Sequence, residues 1–491
     1  MKNVVLFYPS HRVGEAIHPR IQLPLSLLCI ATPLDRAGYN VEIVDQRVDK
    51  SWKQRLTAAI GKRPICLGIS SMTGPQIKYG LEASRMARQQ GDVPVVWGGI
   101  HPTLLPRQTL EHENIDVVVQ GEGEVTFFEL VQALERGRPL SEVKGIWYKE
   151  KGEIRNTEPR PFVDLNKLPP LSYHLVDVKK YLYEAHGVGN LAFETSRGCP
   201  FRCAYCYNTN VYRSKWRGLT AEETVRRIKI LMKDFGIKGI TFADDNFFGN
   251  KRRGLRIFER IKEEGLGITC SKLDAHVSLL SKLTDEELRL LRESGCRMLM
   301  IGAESGSPRI LKMLRKELTV SDILEFNKRL LGFDIMPLYF FMVGYPTETL
   351  AELSETIAVY LRLLRERSDA VCHLNIYTPF PGTELFDIAV RNGLRVPEKL
   401  EEWVSFNFQN VNDRAPWLSG KRKKIIQMLH FTALFTDKTT FVRPYKKTHP
   451  LVVLLARLYH PIAKKRFEKL CYRFPIEIKL VQWLGLYSRQ V

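Results

Sequence analysis

The 491-residue chain has no run of the ~20 apolar residues a helix needs to cross a bilayer. Its longest candidate, Leu451-Val-Val-Leu-Leu-Ala456, stops at Arg457. The opening residues, Met1–Tyr8, read as a first strand and lack the cleavage site of a secretory leader. Paired cysteines are scarce too. Of nine, Cys29, Cys66, Cys270, Cys296, Cys372 and Cys471 stand singly, mostly in apolar runs, which argues for buried thiols over disulfides and for a reducing cytoplasm. Acidic residues are outnumbered, 54 against 74 Lys and Arg, for a net charge of +20. Such an excess suits nucleic acid, an anionic membrane surface or an acidic ligand, and it is concentrated toward the C-terminus.

What stands out against these absences is Gly198-Cys199-Pro-Phe-Arg-Cys203-Ala-Tyr205-Cys206, directly after the strand-like run Leu191–Thr195. Thiolates are soft ligands that suit iron–sulfur clusters and zinc. A four-iron cluster held by three cysteines keeps one iron open for a non-protein ligand, as a catalytic metal centre requires. Gly198 and Pro200 supply a permissive and a fixed backbone position beside Cys199. The alternatives are a structural zinc site or three unrelated thiols. Zinc wants a second ligand pair, and none stands within reach.

Residues 1–145 alternate short apolar strands with helical patterns, the signature of a doubly wound parallel sheet. Ligands of such sheets sit at the carboxyl ends of strands. Here those ends carry Ser71-Met-Thr73, Gly98-Gly99 and Gly121-Glu-Gly-Glu124. Residues 146–189 are rich in proline and read as a linker, with Trp147-Tyr148 as one candidate strand. Residues 190–385 repeat a strand–helix unit six times, a partial (β/α)6 barrel. Their strand ends carry Asp244-Asp245, Glu304-Ser305-Gly306, Gly344-Tyr-Pro346 and Pro381-Gly-Thr383. Residues 386–491 form a basic helical extension. Lys421–Lys424, Arg443, Lys446, Lys447, Arg457, Lys464–Arg466, Lys469 and Arg473 are interleaved there with apolar residues and Trp483.

CxxxCxxC with an aromatic before its third cysteine, Tyr205, resembles the radical S-adenosylmethionine (SAM) superfamily. The resemblance implies a 4Fe-4S cluster on Cys199, Cys203 and Cys206 whose open iron binds SAM. One electron then cleaves SAM, and the resulting 5′-deoxyadenosyl radical abstracts a hydrogen from substrate. It further implies that Asp244 and Asp245 contact the methionine part of SAM, and Glu304 and Ser305 its ribose or carboxylate. The N-terminal loops resemble the cobalamin-binding domain of one subgroup, the methyltransferases and anaerobic protoporphyrin-ester cyclases of this architecture. There Ser71, Thr73, Gly98 and Gly99 match contacts to the cobalamin nucleotide tail. One feature departs. Where many cobalamin domains carry DxHxxG, this chain has Asp45-Gln-Arg47-Val-Asp49-Lys50. Arginine stays protonated and cannot ligate cobalt. Cobalamin is therefore expected without a histidine lower ligand, the other reading being a domain that has lost it. His101, after the glycine pair, reads as a polar loop residue.

The expected function is methylation of an unactivated carbon on a lipid-like substrate, a hopanoid being the favoured choice. The runner-up is ring closure or oxidation of a tetrapyrrole. An RNA-modifying radical SAM enzyme would want three further cysteines near the N-terminus, where only Cys29 and Cys66 occur. A cobalamin carrier or sensor would not need the cysteine loop. Expected partners are a small-molecule or lipid substrate and an external one-electron donor such as flavodoxin or ferredoxin. The basic tail reads either as a solvated cap on the barrel or as a peripheral contact on the inner, anionic face of the membrane, with nucleic acid the weaker option.

Overall fold

The first sheet is built from valine-rich strands whose alternate residues enter two different cores, so both faces are buried and the strands read as continuous apolar runs. Along β1 (Asn3–Tyr8), Val4 and Leu6 pack into one layer and Val5 and Phe7 into the other. The computed structural model describes residues 2–11, 21–406, 414–436 and 450–473. Arg443, Lys446, Lys447 and Trp483 lie outside them.

β2 (Asn40–Asp45), β3 (Leu67–Ser70), β4 (Val95–Gly98) and β5 (Val117–Val119) join β1 in the parallel order β2-β1-β3-β4-β5. Helices Leu25–Arg36 and Gly123–Arg136 cover one face, and Trp52–Gly61 and Pro75–Gln90 the other. The stretch expected to start a linker at 146 instead adds a hairpin to this sheet, β6 (Ile146–Glu150) and β7 (Glu153–Asn156), both antiparallel. Ile146 and Tyr148 are buried at period two. Lys151 and Gly152, both at positive φ, make the tight two-residue turn.

The second sheet holds β8 (Tyr183–Ala185), β9 (Val188–Phe193), β12 (Gly239–Phe242), β13 (Thr269–Ala275), β14 (Met298–Glu304), β15 (Met336–Val343) and β16 (Val371–Ile376). Its order is β16-β15-β14-β13-β12-β9-β8. The six strands from β9 to β16 are parallel, as the sequence pattern implies, and β8 pairs antiparallel on the edge. A two-residue ribbon, β10 (Ser196–Arg197) with β11 (Arg217–Gly218), closes the loop between β9 and β12. Strands β13 and β14 run further than their apolar cores predict. Leu273 and Ala275 stay buried while Lys272 and Asp274 take the half-buried concave face, so period two persists through polar residues.

Helix starts follow capping chemistry. The Thr284–Glu287 capping box forms as expected, and Thr319–Asp322 and Thr349–Glu352 make two more. Helix Gly420–Ala433 packs on β16, and helix Pro450–Glu468 packs on that helix in turn. No helix among the described residues is long and apolar enough to cross a membrane.

Glu348 fastens this extension to the barrel. Its Oε2 accepts from Gly344 N at 2.7 Å and lies 3.8 Å from Arg422 Nη2. Its side chain has no exposed surface. Burial raises its carboxyl to about 7, which those two partners do not offset. A raised carboxyl pKa favours the folded state below the unfolded value near 4.5 and loses that contribution as pH climbs through 7. Glu348→Gln, neutral throughout, should flatten the decline in Tm between about pH 5 and pH 7.5, a difference of up to about 3 kcal/mol. Parallel Tm-against-pH curves for the two proteins would contradict this assignment.

Candidate active site where the two sheets meet

Cys199, Cys203 and Cys206 lie on the loop that leaves the carboxyl end of β9, and all three are free thiols. The loop is tied down along its length. Gly198 N donates to Asp245 Oδ2 at 2.8 Å, Ala204 N to Leu314 O at 2.9 Å, and Leu385 N to Ala204 O at 2.8 Å. Gly198 has φ +80°, and a Cβ there would strike Lys215 O, so this position admits only glycine. Burial raises all three thiols, Cys206 to about 12. Cys206 feels both other cysteines, and Cys203 feels Cys199. Yet no trio of His, Cys, Asp or Glu among the described residues is close enough to hold a single ion. Asn208 Oδ1, Asn246 Oδ1 and His276 Nε2 surround the loop, buried and without hydrogen-bond partners. Asn246 Nδ2 reaches Cys199 Sγ at 3.4 Å, and His276 stacks on Phe201 with ring centroids 3.7 Å apart. Orphaned polar atoms of this kind are rare unless a missing group satisfies them. The residues fit a three-cysteine cluster with a further ligand beside it.

The strand-end residues divide into braces and open groups. Asp244 is enclosed by protein. Its carboxylate accepts from Thr195 N (2.6 Å), Thr195 Oγ1 (2.5 Å), Ser196 N (3.1 Å) and Ser196 Oγ (2.7 Å). Ser305 is fully buried and bonded to Thr356 Oγ1 at 2.9 Å. Both hold the loops in place and present no free polar atom to a ligand. Asp245 is only half-buried. Glu304 sits at φ +61°, a costly conformation for a residue with a side chain. It accepts from Tyr205 OH at 2.8 Å and from Lys316 Nζ at 3.1 Å. The Glu304–Lys316 pair is buried on both sides. Burial lowers the Lys316 pKa, but Glu304 and the nearby thiols outweigh it, so the ammonium is retained. Gly302 leaves the room, since a Cβ there would collide with Glu304 Oε1. Lys316 and His276 carried no sequence signal; only the fold brings them to the cysteines. Burial holds His276 down at about 2, hence neutral.

A cleft of about 1200 Å³, counted to its open mouth, runs between the first sheet and its covering helices. Gly68, Ser70, Gly98, Gly99 and Gly121 line one side, and Glu194, Arg197 and Tyr212 from the barrel line the other. Ser71 and Thr73 are not among its lining. Strand parity at the end of β3 gives the cleft Ser70 and Met72 instead. Ser71 Oγ donates to Met72 O at 3.0 Å, and Thr73 Oγ1 bonds His101 Nδ1 at 2.9 Å. Gly99, at φ +97°, lets its loop pass against Ser71 with no room for a Cβ. Glu124 Oε2 is buried at the cleft without a partner. Arg47 donates to Asp45 Oδ1 (2.9 Å), Asp45 Oδ2 (2.6 Å) and Gln22 O (3.1 Å), and lies 3.9 Å over the ring of Tyr8, which lines the cleft. Asp45 and the aromatic neighbours outweigh burial and raise its pKa, so it stays a cation. His101 is fully buried, bonded to Thr73 and held down at about 3 by burial. The glycine-lined side of this cleft leaves backbone open to a large planar cofactor with a tail, and no histidine lines it.

Arg197 joins the two halves. Its guanidinium donates to Glu122 (3.1 Å) and Glu124 (2.6 Å) from the first sheet, to Glu194 (2.8 Å) and to Cys29 Sγ (3.3 Å). Arg217 also donates to Glu122, at 2.8 Å and 3.0 Å. Burial alone would lower the Arg197 pKa, but Glu124 and Glu194 hold it well above the usual value.

Two α/β units, one ending in a three-cysteine loop and the other in a slot for a tailed planar cofactor, define a two-cofactor enzyme of the radical SAM type. Sequence comparison agrees: residues 193–359 match the radical SAM superfamily and residues 20–131 the B12 binding domain. The chain belongs to the radical SAM enzymes that carry a B12-binding domain. It is 34% identical over 397 residues to an uncharacterized methyltransferase of Pyrococcus horikoshii, a match covering 80% of this chain and 84% of that one. It is 27% identical over 465 residues to the anaerobic magnesium-protoporphyrin IX monomethyl ester cyclase of Cereibacter sphaeroides, covering 91% and 72%. Its fold is shared with the cobalamin-dependent SAM radical enzyme OxsB. The TM-score is 0.73 at 20% identity, over 99% of this chain and 75% of that one.

Arg197→Met should leave Glu124 and Glu194 without a cation, Glu122 keeping Arg217, and cost about 3–5 kcal/mol in denaturant titrations. Gly198→Ala should lower iron content after reconstitution while leaving the first sheet folded. Unchanged iron content would show that the loop tolerates a displaced backbone.

Proposed function

We propose that this protein methylates an unactivated carbon of an apolar, lipid-like substrate, using SAM cleavage and cobalamin together. The observation that carries this is the shared cavity: the slot of the first sheet ends on Glu194, Arg197 and Tyr212, residues that flank the cysteine loop. When bound, a cluster with SAM supplies a hydrogen-abstracting radical, and cobalamin supplies the methyl group. An unactivated carbon has no acidic proton and no nucleophilicity for general acid–base chemistry to exploit, so a radical route is the one open to it.

Cys199, Cys203 and Cys206 would hold the cluster. Asp245, Asn246, His276 and the Tyr205–Glu304–Lys316 set, gathered about the cysteine loop, would border SAM. Lys316 offers a fixed positive charge to a carboxylate, and neutral His276 offers a single nitrogen. Ser70, Gly98, Gly99 and Gly121 would hold cobalamin, the glycines letting it come close to backbone. Arg47, pinned between Asp45 and Tyr8, leaves the metal without a histidine from the protein.

Two features favour an apolar substrate. Met300, Leu338, Phe340 and Met342 occupy the half-buried concave face of the barrel. Helix Pro450–Glu468 exposes Leu454, Leu458 and Ile462 on successive turns, with Arg457, Lys464 and Lys465 beside them. Such a face suits the surface of an anionic bilayer, each basic side chain contributing about 1 kcal/mol near it. A hopanoid fits both. A tetrapyrrole substrate is the second reading, favoured by the likeness to the cyclase over 91% of this chain. The electron source is taken to be a separate one-electron carrier.

Anaerobic incubation with methyl-labelled SAM and a native lipid or tetrapyrrole extract separates these outcomes. Label in a lipid product is expected; a ring-closed tetrapyrrole without label would establish the cyclase instead. Replacing all three cluster cysteines by Ala should abolish 5′-deoxyadenosine formation. The wild type should keep hydroxocobalamin through gel filtration, and a colourless fraction would mean that the Arg47 domain no longer binds it.

A further inference from the structure

The proposed chemistry needs one electron from outside, and the cluster loop has one face turned to solvent. There Cys203 lines a depression of about 840 Å³, together with Arg202, Arg213, Arg315, Glu384 and Asp387. Arg315 is paired with Glu384 at 2.9 Å. Arg202 and Arg213 are exposed and make no ion pair among the described residues. Lys215, also exposed and without an ion pair there, stands in the adjoining groove, which Arg213 lines as well. Asp387 is the one lining carboxylate left to oppose them. Elsewhere on the barrel surface, by contrast, Arg226 and Arg227 share Glu223, Arg260 holds Glu264, and Arg309 holds Glu352. The unpaired guanidiniums of Arg202 and Arg213 thus share a depression with a cluster cysteine, and the Lys215 ammonium stands in the groove beside it.

We propose that this face docks an acidic one-electron carrier protein, seated on Arg202, Arg213 and Lys215 with its redox centre facing Cys203. The proposal rests on the cluster reading above. The carrier is oxidised by one electron and the cluster is reduced by one; no atom changes hands. A positive patch raises the encounter rate of a negatively charged partner by roughly ten-fold or more, and salt removes the gain. Cys203 is 7% exposed, so a docked carrier meets a cluster ligand with little protein between them.

The test uses reconstituted holoenzyme and a reduced flavodoxin of strongly negative net charge. Flavodoxin binding is read by fluorescence anisotropy and cluster reduction by stopped-flow absorbance. R213E/K215E should weaken binding and slow reduction about ten-fold at low salt, with the gap closing near about 0.5 M salt. R213Q/K215Q should fall between, and D387N should tighten binding. Reduction by methyl viologen radical, a small cation, should not slow in any variant. Equal flavodoxin binding by wild type and R213E/K215E, or an equal slowing with viologen, would overturn the docking face. A wild type that assembles no cluster would show it in its absorbance before any carrier is added, and would overturn the underlying reading instead.

Discussion

Arg197 makes the contact on which the rest of the site depends. It stands two residues before Cys199, and its guanidinium is divided among Glu122, Glu124 and Glu194. Arg217 adds a second cation on Glu122. Three carboxylates thus meet two guanidiniums, an imbalance of one negative charge, and burial raises the Glu194 carboxyl accordingly. A buried network of this sort is weak evidence for stability, because desolvation offsets much of the attraction. Its value is in geometry. Fork-shaped guanidinium bonding fixes angles as well as distances, so the strand ends of the first sheet and the start of the cysteine loop are held in register.

That register explains which parts of the site could be read from residues alone. The cysteine loop and both sheets were legible because their signals are local: spacing of three and two between thiols, period two in strands, glycine where the chain must turn. Arg47 was legible as an absence of histidine. The hairpin Ile146–Asn156 was harder, because prolines from 159 onward dominate the composition while only Ile146 and Tyr148 mark the buried face. Ser71 and Thr73 illustrate a parity problem. A motif two residues apart keeps one face, but which face depends on where β3 ends, and it ends at Ser70. The Glu122–Arg197 contact joins residues 75 apart, and no local pattern announces it.

The paired aspartates show how neighbouring identical residues acquire different work. Asp244 has four donors from Thr195 and Ser196 and no surface, so it shapes the strand end. Asp245 keeps one carboxylate oxygen on Gly198 N and stays half-open. The same division separates Ser305, spent on Thr356, from Glu304. Glu304 adopts a left-handed backbone that aims its carboxylate at Tyr205 and Lys316. Strain of that kind persists only where the surroundings over-determine it. Here Gly302, Lys316 and Tyr205 do so, at the border of the three thiols.

The lower side of the slot follows the same logic. A ligand to cobalt must offer a lone pair, and no histidine among the described residues lines the cleft. In the sequence Arg47 stands where the motif's histidine would, and it is fixed by both oxygens of Asp45 and by the face of Tyr8. Asp45 is held in turn by Tyr181 OH at 3.0 Å. His101 is removed from contention by burial against Trp403, with ring centroids 5.6 Å apart, and by its bond to Thr73. This side of the cleft thus presents the Tyr8 ring, backed by the Arg47 guanidinium, and no coordinating nitrogen among the described residues. A cofactor bound there would be held by contacts with backbone and side chains and not by a histidine, on the same cleft that Glu194, Arg197 and Tyr212 of the barrel line.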